Sequence, residues 1–235
     1  MIADILSQNG FVAMSAAAVL GNIQSEGGMN PWFWEGPYTP TQSEAEAWPD
    51  AEKQSGHGYG FFQYTPYDKY INSANSSLSG YAPHFRDVQG NASDGEAQIL
   101  FMLQDIFTSN WSSNQYGWYA AAFNDPTIPS GPGLTPFTKD ISVFYPTPVE
   151  DFIAGIAYGN TEDEQIENLT GCFELQYEAP GLDPDQNYPA KRSYWNRVYA
   201  AYYYYDLIKD AFPWSGSSGF KFYMYQKPVW KRRIF

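Results

Sequence analysis

Apolar residues recur along most of this chain at the three- and four-residue intervals of an α-helix. Strict alternation of apolar and polar residues, which would predict a half-buried strand, is rare by comparison. Helices are predicted at residues 2–6, 12–25, 67–73, 94–107, 135–145, 147–159 and 161–180, followed by a long aromatic helix within 183–212.

Two segments interrupt this helical pattern. Residues 31–60 combine Pro, Gly, Trp and acidic residues without a sustained period, which predicts a long loop with a small β-hairpin. From residue 213 the period is lost again, and the Trp-Ser-Gly-Ser-Ser-Gly stretch that follows is typical of a linker. The pattern therefore predicts one mainly α domain at residues 1–212 and a C-terminal extension at 213–235.

Composition and charge narrow the classes of partner. The hydrophobic fraction of 43% and charged fraction of 17% are those of a globular chain. A net charge of −13 argues against nucleic acid or an anionic membrane as a general partner, although the extension ends in a small basic patch. No segment is predicted to span a bilayer, and the start of the chain lacks the basic region of a signal peptide. The single cysteine, Cys172, permits no intrachain disulfide and is expected to be buried.

One carboxylate stands where a buried helix face would continue. The apolar positions Val19 and Ile23 of the 12–25 helix lie on the same face as Glu26, and two glycines follow it. Burial and the negative end of the helix dipole both favour the protonated form of such a carboxyl. That is what a general acid requires, because a departing glycosidic oxygen must receive a proton. A Glu that caps the helix or forms an ion pair is the alternative that spacing alone leaves open.

A second stretch, Gly-His-Gly-Tyr-Gly-Phe-Phe-Gln-Tyr at residues 56–64, has glycine at every second position. Glycines so placed let the backbone approach another group closely, and tight turns use them too. Gln63 offers the amide donors and acceptors that bind sugar hydroxyl and N-acetyl groups.

Together, "GNIQSEGGMNP" and "GHGYGFFQYTP" resemble the phage tail lysozyme family, which is similar to goose-type lysozymes and lytic transglycosylases. The looser stretch "TGCFELQYEAPG" and the aromatic helix after it resemble the closing part of that family, so that the resemblance covers about residues 10–210. It implies a lysozyme-like α-helical domain that cleaves peptidoglycan between N-acetylmuramic acid and N-acetylglucosamine. Glu26 takes the acid role by direct motif match. The implied substrate-binding residues are Gly58, Tyr59, Gly60, Phe62, Gln63, Tyr64 and Glu178.

The second acid of a hydrolytic mechanism is not fixed by the motifs. A retaining enzyme places it ~5 Å from the first carboxyl, and an inverting one ~6.5–9.5 Å away. Goose-type enzymes have an Asp at the position of Gln54, so Asp50 and Glu52 are the nearest candidates. A solvated loop carboxylate is the alternative for each. Without a second acid, the resemblance implies transglycosylase chemistry with an anhydro product.

The resemblance also implies a setting. The family belongs to phage tails and cell-wall remodelling, so the expected partner is a peptidoglycan glycan strand, at the virion tail or the bacterial wall. We expect the extension at 213–235 to dock on another tail protein. His57 and His84 show no metal-ligand spacing, so neither a metal nor another cofactor is predicted. The rival hypothesis is a wall-binding or virion-structural module that keeps the fold without catalysis.

Overall fold

The computed structural model describes residues 1–33, 58–63, 93–108, 111, 147–178 and 188–212. Its helices are α1 (Ile2–Gln8), α2 (Ala13–Glu26), α3 (Ser93–Thr108), α4 (Val149–Ile153), α5 (Glu162–Phe173), a π-helical turn (Glu174–Glu178) and α6 (Tyr188–Ile208). Helix accounts for 68% of the described residues and strand for almost none, which confirms the mainly α prediction. Within these ranges, no helix combines the length and hydropathy needed to cross a bilayer.

The helical periods place most elements within a few residues of their observed bounds. The predicted 12–25 helix is α2, and the predicted 94–107 helix is α3. α4 is shorter than the predicted 147–159 helix, because the chain turns at Gly155 with a left-handed φ of 72°. The segment predicted as one helix at 161–180 changes from α to π geometry after Phe173. The helices predicted at 67–73 and 135–145, most of the hairpin region and the extension lie outside the described residues.

Helix α2 lies at the centre of the described helices and packs most extensively against α6, and then against α5. Gly21 makes the crossing with α6 close. A Cβ atom at Gly21 would collide with the carbonyl oxygen of Arg197 and lie 2.9 Å from the Cβ of Ala201. Because these are backbone and near-backbone atoms, the two helices approach in a way that only glycine permits at this position.

A series of contacting aromatic rings ties the remaining elements to this centre. Phe152 of α4 packs edge-on against Phe11. Its ring centroid also lies 5.7 Å from that of Phe173 of α5. Phe173 in turn contacts Tyr177 of the π-helical turn, which meets Phe62 edge-on at 5.6 Å. Such edge-to-face pairs add to the free energy gained by burying the rings. The core therefore joins α4, α5 and the π-helical turn to the glycine-rich segment at 58–63.

Candidate functional site

Helix α2 ends where its backbone meets the glycine-rich segment. The amide of Gly27 donates to the carbonyl of Ile23 at 3.0 Å, and Gly28 and Met29 then adopt left-handed φ angles of 59° and 63°. A Cβ at Gly27 would lie 2.5 Å from the carbonyl oxygen of Gly60. The two motifs singled out in the sequence thus touch through their backbones, immediately after Glu26.

The glycine-rich segment forms a tight turn that is held together by the side chain of Gln63. Gly60 has a φ of 78°, and its amide donates to the carbonyl of Phe33 at 2.8 Å. Gln63 has a left-handed φ of 46°, and its Nε2 donates to the carbonyl of Gly60 at 2.8 Å. Among the described residues, Gln63 and Met29 are the non-glycine residues with positive φ, and both flank the contact between the motifs. Backbone strain of this kind concentrates at functional sites.

Gln98 of α3 fastens the loop after α2 to this turn. Its Oε1 accepts from the amide of Phe61 at 2.7 Å, and its Nε2 donates to the carbonyl of Pro31 at 2.6 Å. A Cβ at Gly60 would collide with the same side chain. The fully buried amide of Gln98 therefore fixes the positions of both motif backbones relative to each other.

The Glu26 side chain is 20% exposed and forms an ion pair with Nη2 of Arg197, on α6. Arg197 is itself 2% exposed. Its Nη1 donates to the side-chain oxygen of Asn22 at 3.1 Å and to the Asn22 carbonyl at 3.3 Å. Asn22 lies one helical turn before Glu26 on α2, so a single guanidinium contacts two successive turns of that helix.

Behind this pair lies a second carboxylate. Oε1 of Glu174 is 3.0 Å from Nε of Arg197, and the Glu174 side chain is 1% exposed. Burial by itself would lower the pKa of Arg197, but the charges of Glu174, Glu26 and Glu178 outweigh it and raise that pKa above its ordinary value. Arg197 therefore carries a permanent positive charge between α2 and the π-helical turn.

The structure separates the predicted site residues into three groups. Glu26, Gly58, Gly60 and Gln63 lie at the contact between the two motifs, whereas the rings of Tyr59 and Phe62 are buried in the core. Glu178 is half-buried at the end of the π-helical turn, and its charge acts on Arg197. Asp50, Glu52 and Tyr64 lie outside the described residues.

Sequence reasoning missed Arg197 and Asn22, and it assigned Glu174 a structural role and no place among the site residues. A usable signal exists for Arg197, because Tyr194, Val198 and Ala201 are spaced around it on the buried face of α6. A charge on a buried face calls for a partner, as the same reasoning noted for Glu26. The π-helical geometry at Glu174 has no comparable signature in the sequence, although such turns are frequent at functional sites.

The lone cysteine takes no part in this site as a nucleophile. Cys172 is buried as predicted, and burial raises the pKa of its thiol to about 12 against hydrogen bonds from Thr147 and Gln176, which lower it. A thiol in that state stays protonated at neutral pH and is inert as a nucleophile. The chemistry of the site thus falls to carboxyl, guanidinium and amide groups.

The partly exposed Glu26 carboxyl can exchange a proton with a bound molecule, and the buried guanidinium of Arg197 can stabilise the charge left behind.

A comparison with protein families adds an independent finding. A family model described as phage tail lysozyme matches residues 1–127, which is more than half of the 235 residues. The match includes Glu26 and the turn at 58–63, and its last residue precedes α4.

Proposed function

Because the chain belongs to the phage tail lysozyme family, and hence to the lysozyme-type peptidoglycan hydrolases, we propose that it cleaves the β-1,4 bond between N-acetylmuramic acid and N-acetylglucosamine with Glu26 as general acid. The observation that carries this proposal is the partly exposed Glu26 carboxyl at the contact between α2 and the glycine-rich turn. A group that is solvated on one side and supported on the other can both reach a substrate and keep a fixed orientation.

In this proposal the Glu26 carboxyl gives its proton to the glycosidic oxygen as the bond to the anomeric carbon breaks. The resulting carboxylate is stabilised by the guanidinium of Arg197, which is already in place before the reaction and needs no reorganisation. The same carboxylate then accepts a proton from the group that attacks the anomeric carbon. That group is water in hydrolysis and the 6-hydroxyl of the muramic acid residue in transglycosylation.

The glycan strand is proposed to lie along the turn at 58–63. Tyr59 and Phe62 support that turn from inside the core, Gly60 is buried as well, and the half-buried Gln63 is the residue of the turn that a sugar could reach. Gln63 is the proposed sugar-contacting side chain of the turn, and its Nε2 also donates to the carbonyl of Gly60. Asp50 or Glu52 stays the proposed second carboxylate for hydrolysis, with Glu178 and Tyr64 as further residues lining the cleft.

The decisive variant is Glu26→Gln, which keeps the shape of the side chain and removes its acid function. We expect clearance of purified peptidoglycan, followed as turbidity, to fall by about 10²–10⁴-fold. Glu150→Gln, which alters an exposed carboxylate on α4, is the matched control and should clear at the parent rate. Equal clearance by Glu26→Gln and the parent would refute the assignment.

Product analysis and a pull-down separate the remaining alternatives. A reducing muramic acid end identifies hydrolysis, whereas an anhydro end identifies transglycosylation. A parent protein that sediments with purified peptidoglycan but never clears it would instead be the non-catalytic wall-binding module. Mass spectrometry of the soluble fragments distinguishes hydrolysis from transglycosylation. The turbidity assay, run on the same samples as the pull-down, distinguishes an enzyme from a non-catalytic module.

A further inference from the structure

Arg197 contacts two carboxylates that differ sharply in exposure. Glu26 is 20% exposed and Glu174 is 1% exposed, and they bind different nitrogens of one guanidinium. An arginine that is itself 2% exposed needs a counterion at all times, since a buried unpaired charge strongly destabilises a fold. If Glu26 were the only counterion, it would be held in its ionised form and could not carry a proton.

We propose that Glu174 is the fixed counterion of Arg197, so that Glu26 is free to change its protonation state while Arg197 keeps it in position. This inference rests on the proposed role of Glu26 as general acid. It makes Arg197 and Glu174 positioning residues: the burial of Glu174 excludes contact with a substrate, and Arg197 acts through Glu26.

The surrounding hydrogen bonds support a fixed guanidinium. Nη1 of Arg197 is held by both oxygens of Asn22, and the Asn22 side-chain amide donates to the carbonyl of Thr170 on α5 at 3.2 Å. The backbone of Arg197 also packs closely against α2 at Gly21, the residue before Asn22. Arg197 is thereby fixed from α2 and the π-helical turn, and Asn22 ties this arrangement to α5, whereas Glu26 is the partner of Arg197 that reaches the surface at the contact between the motifs.

The charged groups around Glu26 predict opposite effects for two variants. Arg197→Met removes a positive charge, so the acid form of Glu26 should persist to higher pH. Glu174→Gln removes a negative charge and leaves Glu26 as the closer counterion of Arg197, so the acid form should be lost at lower pH. Glu178, whose charge also acts on Arg197, stays unchanged in both variants.

The test is the pH profile of peptidoglycan clearance. Its alkaline limb should move to higher pH in Arg197→Met and to lower pH in Glu174→Gln. Activity at each optimum should fall as well, by about 10- to 100-fold for Arg197→Met, because the carboxyl loses its fixed orientation. Arg197→Lys keeps the charge without the forked geometry and should retain the parent limb at reduced activity. Lys209→Met, which alters an exposed lysine just after the end of α6, is the control and should change neither property.

A second readout does not depend on activity. The titration of the Glu26 carboxyl carbon by ¹³C nuclear magnetic resonance should shift in the same two opposite directions in the folded variants. If the parent fails to clear peptidoglycan, the proposed function fails, while this titration still tests the coupling of the three residues. Shifts in one common direction, or reduced activity with an unmoved limb and unmoved titration, would show that Arg197 and Glu174 only support the fold.

Discussion

Helix α6 carries charge in two contrasting settings. Near its middle, Arg197 is buried between Glu26 and Glu174. At its end, Asp206 pairs at 2.6 Å with Lys209, which follows the last helical residue, and both side chains are well exposed. The exposed pair is the weaker one, because solvent competes for exposed charges and their long side chains lose freedom on pairing. Burial, and not distance, decides how much each pair contributes to stability and how much it reveals about function.

Two further polar contacts of α6 lie closer to the surface than the Arg197 cluster. Tyr202 donates to a carboxylate oxygen of Glu167 at 2.7 Å, and Tyr205 donates to Glu162. Both partners lie on α5, so these bonds register one helix against the other at their outer edge. They need no functional explanation, whereas a buried arginine with two acidic partners does, because a buried ion pair often gains nothing over well-packed apolar residues.

The largest loss of stability should come from breaking the buried pair between Arg197 and Glu174. Glu174→Leu leaves Arg197 without its buried counterion and should lower the free energy of unfolding by about 3–5 kcal/mol. Asp206→Asn breaks the exposed pair of the same helix and should produce no measurable change. Urea unfolding of the two variants beside the parent measures both effects. Similar losses in the two variants would mean that burial does not set the contribution of these pairs.

The contrast also shows what the sequence could reveal. The apolar spacing predicted α2 and placed Glu26 on its buried face, since periodicity reports which face of a helix is covered. It does not report what covers that face. Arg197 is 171 residues from Glu26, and their pairing depends on the angle at which α2 and α6 cross. Gly21 sets that crossing, yet an interior helical glycine by itself predicts only a small loss of helix stability.

The turn at 58–63 also shows what a sequence pattern can and cannot predict. Its alternating glycines predicted a close approach of backbones, which the contact between Gly27 and Gly60 displays. The rings of Tyr59 and Phe62, by contrast, were expected at the substrate and are buried against the core. A glycine pattern reveals where space is short, whereas the direction of the intervening side chains is decided by Gln98 and the aromatic core behind the turn.

A smaller loss is expected from forcing α2 and α6 apart. The new methyl group of Gly21→Ala meets the carbonyl of Arg197 and the Cβ of Ala201, neither of which can move without the helix. Overpacking of this kind should destabilise the protein by about 1–3 kcal/mol. Ser25→Ala, an exposed change on the same helix, is the control for altered helix propensity.

Gly21→Ala should also disturb the buried Arg197 pairs and spare the exposed Lys209–Asp206 pair, because its new methyl group lies against the backbone of Arg197. We expect reduced peptidoglycan clearance in folded protein at a temperature below its melting transition. Full activity together with the expected destabilisation would show that Arg197 tolerates a shift of α6. An unchanged free energy of unfolding would contradict the close crossing itself.

The smallest loss of stability should come from the exposed hydrogen bond between Tyr205 and Glu162. Tyr205→Phe removes the hydroxyl that bonds Glu162 and should cost about 0.5 kcal/mol or less at neutral pH, since water replaces the lost partner. Burial, followed by the hydrogen bond to Glu162, raises the pKa of Tyr205 above its ordinary value of 10.0. In the unfolded chain this tyrosine ionises at the ordinary value, while in the folded chain it keeps its proton to higher pH.

The sign of that shift fixes the pH dependence. A raised pKa in the folded state means that the contribution of Tyr205 is fully present below pH 10 and is lost as the pH rises beyond it. The stability difference between the parent and Tyr205→Phe should therefore be constant from pH 7 to about 9 and shrink above 10. Other tyrosines titrate in the same range, but they are common to both proteins and cancel in the difference. A difference that grows above pH 10 would mean that the Tyr205 hydroxyl ionises more readily in the folded protein, and that its bond to Glu162 is absent in solution.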